Sequence, residues 1–70
     1  MFKNKILYWT KLKGVKHTHL AKKCKVSEQT FSRWVNNVTQ PNLIQGYIIA
    51  KELGIKMEDL IDKQKEDEDE

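Results

Sequence analysis

The chain has 70 residues, 39% of them hydrophobic and 33% charged, with a formal net charge of +3. That suffices for one domain with one small core, and compact helices or a partner chain must offset roughly 1.5 kcal/mol of conformational entropy per residue. A lone Cys24, no zinc-like cluster, a lysine-broken N-terminus and no run near the ~20 apolar residues of a membrane span exclude a secreted mini-protein, a membrane protein and a multidomain enzyme, and fit a reduced cytoplasm.

Apolar residues recur at spacings of three and four rather than two, which predicts an all-helical chain. Ile6, Leu7 and residues 10–12 predict a first helix over about 4–13, ended by Gly14 as its C-cap. Leu20, Ala21 and Cys24 give one apolar stripe to a second helix over about 17–24. Ser27 is suited to N-cap a third, with Glu28 in its first turn where an acid complements the helix dipole. Phe31, Trp34 and Val35 form the buried face of that helix, and Asn36 and Asn37 stop it. A polar loop over 38–42 leads to a fourth helix over about 43–53, anchored in the core by Leu43, Tyr47 and Ala50 and ended by Gly54. Residues 57–61 predict a short fifth helix whose Leu60 and Ile61 close the core. The folded domain thus covers 1–63. Residues 64–70 are an acidic, self-repelling tail expected to be disordered, either solubilising or lying transiently over the basic half.

Charge is unevenly spread. Residues 1–40 carry nine lysines and arginines against Glu28 alone, a net +8, whereas residues 41–70 carry a net −5. A half-domain at +8 is an electrostatic footprint for a polyanion, and nucleic acid is the commonest one in cytoplasm. A merely solvated lysine-rich surface gives the same count.

Between the second and third helices only Lys25 and Val26 are free, so the two must cross steeply as a helix-turn-helix. Ala21 is small where they approach. Leu20, Val26, Phe31 and Trp34 face inward, leaving Glu28, Gln29, Ser32 and Arg33 outward on a rod whose width suits the ~12 Å major groove.

The segment HTHLAKKCKVSEQTFSRWVNN resembles the helix-turn-helix of the phage-repressor family (Cro and lambda-repressor-like, or XRE). The likeness continues through TQPNLIQGYIIAKELGIKMEDLI, which is similar to the family's loop, proline, fourth helix ending Ala-x-x-Leu-Gly, and fifth helix. It covers about residues 4–62. It implies a compact five-helix, all-α, lambda-repressor-like domain that binds operator double-stranded DNA as a homodimer and regulates transcription as a repressor. The alternative is a protein-interaction module, an antirepressor, antitoxin or assembly factor, that keeps the fold without reading DNA.

Carried over by position, His17 falls where the family meets a phosphate, Ser27, Glu28, Gln29 and Arg33 where it touches bases or nearby backbone, and 36–39 where the following loop approaches phosphate. Ser32, on the same outward face, joins the base-reading set. Lys16, Lys22, Lys23 and Lys25 supply phosphate attraction beside His17, Asn36, Asn37 and Thr39. The side chains suit these tasks: Arg33 can donate twice to guanine O6 and N7, Gln29 can pair with adenine, and Glu28 can accept from cytosine N4. Glu28 reads equally as a dipole residue or a lysine's partner.

Four positions depart from the family. Lys25 stands where glycine is common, and a left-handed conformation there would cost about 1–2 kcal/mol. Thr10 and Val35 stand where many members pair arginine with glutamate, so a neutral contact replaces an ion pair. Gly46 interrupts the fourth helix and would permit close packing. Trp34 is expected in the core and Trp9 partly exposed. His17 and His19 are too few for a metal site, Cys24 reads as a small buried hydrophobe, and no nucleophile sits beside a base, so no enzyme activity, cofactor or small-molecule ligand is expected. Ile44, Ile48 and Ile55 suggest a dimer face, or else cover for the fifth helix.

Overall fold

The structure, a computed structural model, describes residues 3–62, so the expected acidic tail lies outside the described residues. A two-residue strand β1 (Lys3–Asn4) precedes four α-helices: α1 (Ile6–Lys13), α2 (His17–Lys23), α3 (Glu28–Val35) and α4 (Leu43–Leu53). A 3-10 turn (Met57–Leu60) then leads into β2 (Ile61–Asp62), which pairs antiparallel with β1 in the register Lys3 to Asp62 and Asn4 to Ile61.

The expected five-helix, all-α architecture is therefore corrected, among the described residues, to four α-helices with a small two-stranded sheet. The segment predicted as a fifth helix is bracketed by extended residues, Lys56 at ψ 152° and Ile61 at ψ 126°. Four residues cannot repay the cost of nucleating an α-helix. Extending Ile61 instead joins it to Asn4, and the adjoining Lys5 N–H donates to the Leu60 carbonyl at 2.7 Å. For the same reason α1 starts at Ile6 rather than near Asn4. Asn4 belongs to the strand, and its Oδ1 accepts from the Ile6 N–H at 3.0 Å.

The other boundaries follow from local chemistry. Gly14 and Gly54 end α1 and α4 in the left-handed region, at φ 69° and 72°. Ser27 caps α3 by accepting from the Thr30 N–H at 3.1 Å. Asn42 and Gln45 cap α4 reciprocally, with bonds of 2.8 and 3.0 Å. Lys25 takes the left-handed conformation its place in the turn requires, at φ 59°.

The core joins Ile6 of α1, Leu20 and Ala21 of α2, Phe31 and Trp34 of α3, Ile49, Ala50 and Leu53 of α4, and Leu60. The face of α4 differs from expectation. Leu43 and Tyr47, expected inside, are 77% and 53% exposed, and Ile49 is fully buried instead. The buried set Gly46, Ile49, Ala50 and Leu53 follows the helical i, i+3, i+4, i+7 spacing. Its phase is set by Gly46, where the Met57 methyl of the 3-10 turn comes close enough to lie 3.3 Å from a Cβ placed there. Trp9, half-buried, joins α1 to the same turn by donating from Nε1 to the Asp59 carbonyl at 2.8 Å. Cys24 is buried, and that burial pushes its thiol pKa up, as befits a small core hydrophobe.

Candidate nucleic-acid interface

The helix-turn-helix is built as its sequence demands. α2 and α3 pack together through Leu20, Ala21, Phe31 and Trp34, with Val26 half-buried in the turn between them. The Phe31 ring is the hub: fully buried, its centroid lies 5.5 Å from that of Trp34 and 5.5 Å from that of His17. With the apolar row of α3 locked down, Glu28, Gln29, Ser32 and Arg33 are all exposed on the opposite face. Among the described residues neither Glu28 nor Arg33 forms an ion pair, so the lysine partner considered for Glu28 is not there. Its position in the first turn of α3 still suits the helix dipole.

The hydrogen bonds divide the candidate residues into free and engaged. Ser27 spends its hydroxyl on Thr30, accepting from the backbone N–H and donating to Oγ1 at 3.1 Å. Ser32 is tied to Asn36, whose Nδ2 donates to the Ser32 carbonyl at 3.0 Å and to its Oγ at 3.4 Å. His17 is half-buried, its Nε2 2.9 Å from Thr10 Oγ1. The Thr10 hydroxyl donates to the Leu7 carbonyl at 3.1 Å, which leaves its oxygen to accept from the imidazole N–H. His17 is thus chiefly a brace between α1, α2 and Phe31, and Thr10, 3% exposed, finds its neutral polar contact in His17. Asn37, expected by position to meet phosphate, is half-buried and turned toward Asn4.

Around this face the basic side chains stand in solvent. Lys16 at the N-cap of α2, Lys22, Lys23 and Lys25 are exposed. Lys23 is the exception to freedom, since its Nζ lies 4.0 Å from Glu52. His19 Nε2 meets the same carboxylate at 2.9 Å, and that hydrogen bond, with Lys23 adding charge, holds the Glu52 pKa below the usual carboxylate value. Beyond α3, Asn36 and Thr39 are exposed, and the loop folds back so that the Val38 and Thr39 N–H groups donate to the Arg33 carbonyl at 2.9 and 3.4 Å.

Of the isoleucines singled out as a dimer face, Ile44 is 71% exposed, while Ile48 and Ile55 are half-buried against the core. On α4 the large apolar side chains in solvent are instead Leu43, Ile44 and Tyr47, three positions on the start of the helix. Beside it runs a mainly apolar groove of about 360 Å³, lined by Ile6, Pro41, Leu43, Met57 and Ile61 among others. Among the described residues no group of side chains could hold a metal ion, and no helix is long and apolar enough to cross a membrane.

Sequence reasoning missed Asn4 and Gln40, which hold the loop after α3. The signals were present: a polar residue two positions before an apolar helix, and an Asn-Asn pair, asparagine being the residue after glycine that best tolerates left-handed backbone.

No protein-family model matches the chain, and no curated protein matches it. Among solved structures, a crystallised protein from Bacteroides fragilis to which DNA binding is ascribed superposes with a TM-score of 0.84. The two share 32% sequence identity, over 89% of this chain and 100% of that one.

Proposed function

Because the chain belongs to one family with that Bacteroides fragilis protein, we propose that it binds double-stranded DNA, inserting α3 into the major groove, and acts as a transcriptional repressor of the phage-repressor type. The observation that carries this reading is the exposed row of Glu28, Gln29 and Arg33 on a helix whose other face is fixed by Phe31 and Trp34. A rigid helix pays little entropy on docking, so its polar row can discriminate between base pairs rather than adapt to all of them.

The roles follow from which groups are free. Arg33 reads guanine through two parallel donors, Gln29 reads adenine, and Glu28 accepts from cytosine N4. Ser27 and Ser32, whose hydroxyls already serve the two ends of α3, add at most a contact to nearby backbone. Lys16, Lys22 and Lys25, helped by Lys23, Asn36 and Thr39, meet phosphates, which position the helix without specifying sequence. His17 and Asn37 act by holding their neighbours in place. Two copies, joined through Ile44 with Leu43 and Tyr47, would set two α3 helices about one DNA turn, ~34 Å, apart. The action is occupancy of an operator in the cytoplasm, at the nucleoid, and not catalysis.

The test is selection of bound sites from a random DNA pool, followed by titration of selected and random duplexes across salt. Enrichment of one palindromic site with a steep salt dependence supports the reading. Equal affinity for selected and random duplexes refutes sequence reading, and no binding at low salt refutes DNA binding itself.

A further inference from the structure

The loop that leaves α3 is held from the far end of the chain. Asn4 in β1 donates from Nδ2 to the Trp34 carbonyl, in the last turn of α3, at 2.6 Å, and to Gln40 Oε1 at 2.6 Å. Its backbone N–H donates to Asn37 Oδ1 at 2.8 Å, and its carbonyl accepts from Asn37 Nδ2 at 3.4 Å. Gln40 closes the ring by donating from Nε2 to Asn37 Oδ1 at 2.9 Å. Asn37 thereby stands in for a neighbouring strand along the outer edge of β1, whose other edge is paired with β2. It can do so because its backbone is left-handed, at φ 60°. Between these anchor points lie the exposed Asn36, Val38 and Thr39.

We infer that Asn4, acting through Asn37 and Gln40, is a positioning residue for nucleic-acid binding: it fixes the loop over 36–40 so that Asn36 and Thr39 meet phosphate in one conformation. This rests on the DNA-binding reading above. The physical reason is preorganisation. A loop already ordered by these five hydrogen bonds has little ordering entropy left to lose on binding, whereas an unlatched loop loses it at that moment and the loss appears in affinity. The latch touches no base and adds no charge. It therefore scales affinity for all duplexes alike and leaves both base preference and the number of phosphates neutralised unchanged.

The experiment compares wild type with Asn4→Ala, Asn37→Gly and the double variant, measuring duplex affinity well below each unfolding midpoint. Glycine at 37 adopts the left-handed backbone without strain and removes the amide side chain. Each single variant should lower affinity for selected and random DNA by the same factor, about tenfold, and the double should fall no further than the weaker single, because the residues act as a unit. The salt slope should not move, and the Val38 amide should exchange faster with solvent. Should Asn4→Ala fail to fold, having also lost its bond to the start of α1, Asn37→Gly with Gln40→Ala makes the same cycle without touching that helix. Variants that melt earlier yet bind DNA as wild type does overturn the inference, since the ring is then structural only. Additive losses overturn it too. A wild-type chain that binds no duplex overturns the DNA-binding reading along with it, whereas the other two results leave that reading standing.

Discussion

Replacing Gly46 by alanine tests how α4 and the 3-10 turn fit together, and the sign of the effect is decided by one contact. Gly46 is buried inside α4, and a Cβ there would lie 3.3 Å from the Met57 Cε, the one close contact beyond its chain neighbours and the helix's own backbone among the described residues. Alanine in place of a helix-interior glycine is worth about 0.5–1 kcal/mol, because glycine loses more backbone freedom on folding. Against this stands a shift of a few tenths of an ångström in one methyl at the free end of a flexible side chain. Each pair of non-bonded atoms contributes only about 0.1–0.2 kcal/mol, and methionine adjusts through three rotatable bonds. The gain outweighs the cost. Gly46→Ala should stabilise the domain by about 0.5 kcal/mol and raise its thermal midpoint by roughly 2–4 °C, measured by circular dichroism. Gly46→Leu should reverse the sign by about 1–3 kcal/mol, since a branched side chain drives into Met57 and displaces the turn. An alanine variant that melts below wild type would refute the reasoning, because it would mean that Met57 is locked and cannot yield.

Three further outcomes separate the roles assigned above. Arg33→Ala should lose about 1–3 kcal/mol of discrimination at a single base pair of a selected site, whereas Lys22→Ala should weaken all duplexes alike and reduce the salt slope by about one; identical behaviour of the two variants on selected and random DNA would contradict the division. Ile44→Glu should lower the sedimentation mass toward that of a monomer, and an unchanged mass in a still-folded variant would reject the α4 face. Glu52, its pKa held below the ordinary value by His19 and Lys23, contributes stability above the carboxylate range that is lost as pH falls through its lowered value. The stability gap between wild type and Glu52→Gln should therefore close on acidification below about pH 4, and a gap that widens there would show the assignment to be wrong.

What could be read from the sequence is what local chemistry decides. Gly14, Ser27 and Gly54 mark helix ends because a left-handed residue or a side-chain oxygen solves the terminus within a turn, wherever the rest of the chain goes. The left-handed Lys25 and the division of α3 into a buried and a polar face were legible for the same reason. Two things were not. The stretch from Leu43 to Ala50 is apolar on nearly every side, so periodicity admits more than one inward face, and it takes packing against α1, α2 and the 3-10 turn to select Ile49 over Tyr47. The β1–β2 pair is invisible because two residues make no alternation, and the partners Asn4 and Ile61 stand at opposite ends of the chain. Residues 57–61 carry the composition of a helix start, and long-range pairing overrode it.

Under the proposed function, a dimer and its reading helices would be linked by energy as well as by symmetry. Hydrogen bonding inside the domain engages the Ser27 and Ser32 hydroxyls, so the proposed sequence discrimination by one copy would fall on Gln29, Arg33 and Glu28. Glu28 is a weak member, since an acid among phosphates is favourable only opposite a donor. Two sound readers at about 1–3 kcal/mol each give one copy about 2–6 kcal/mol of preference, at or below the lower part of the ~4–10 kcal/mol that separates operators from bulk DNA. Two copies on a palindrome double that preference and bring it into the working range. The proposed pairing through Leu43, Ile44 and Tyr47 on α4 and the proposed reading by Gln29 and Arg33 on α3 therefore stand together: a reading helix this sparsely furnished would need a second one beside it, and the exposed apolar start of α4 is the surface proposed to supply it.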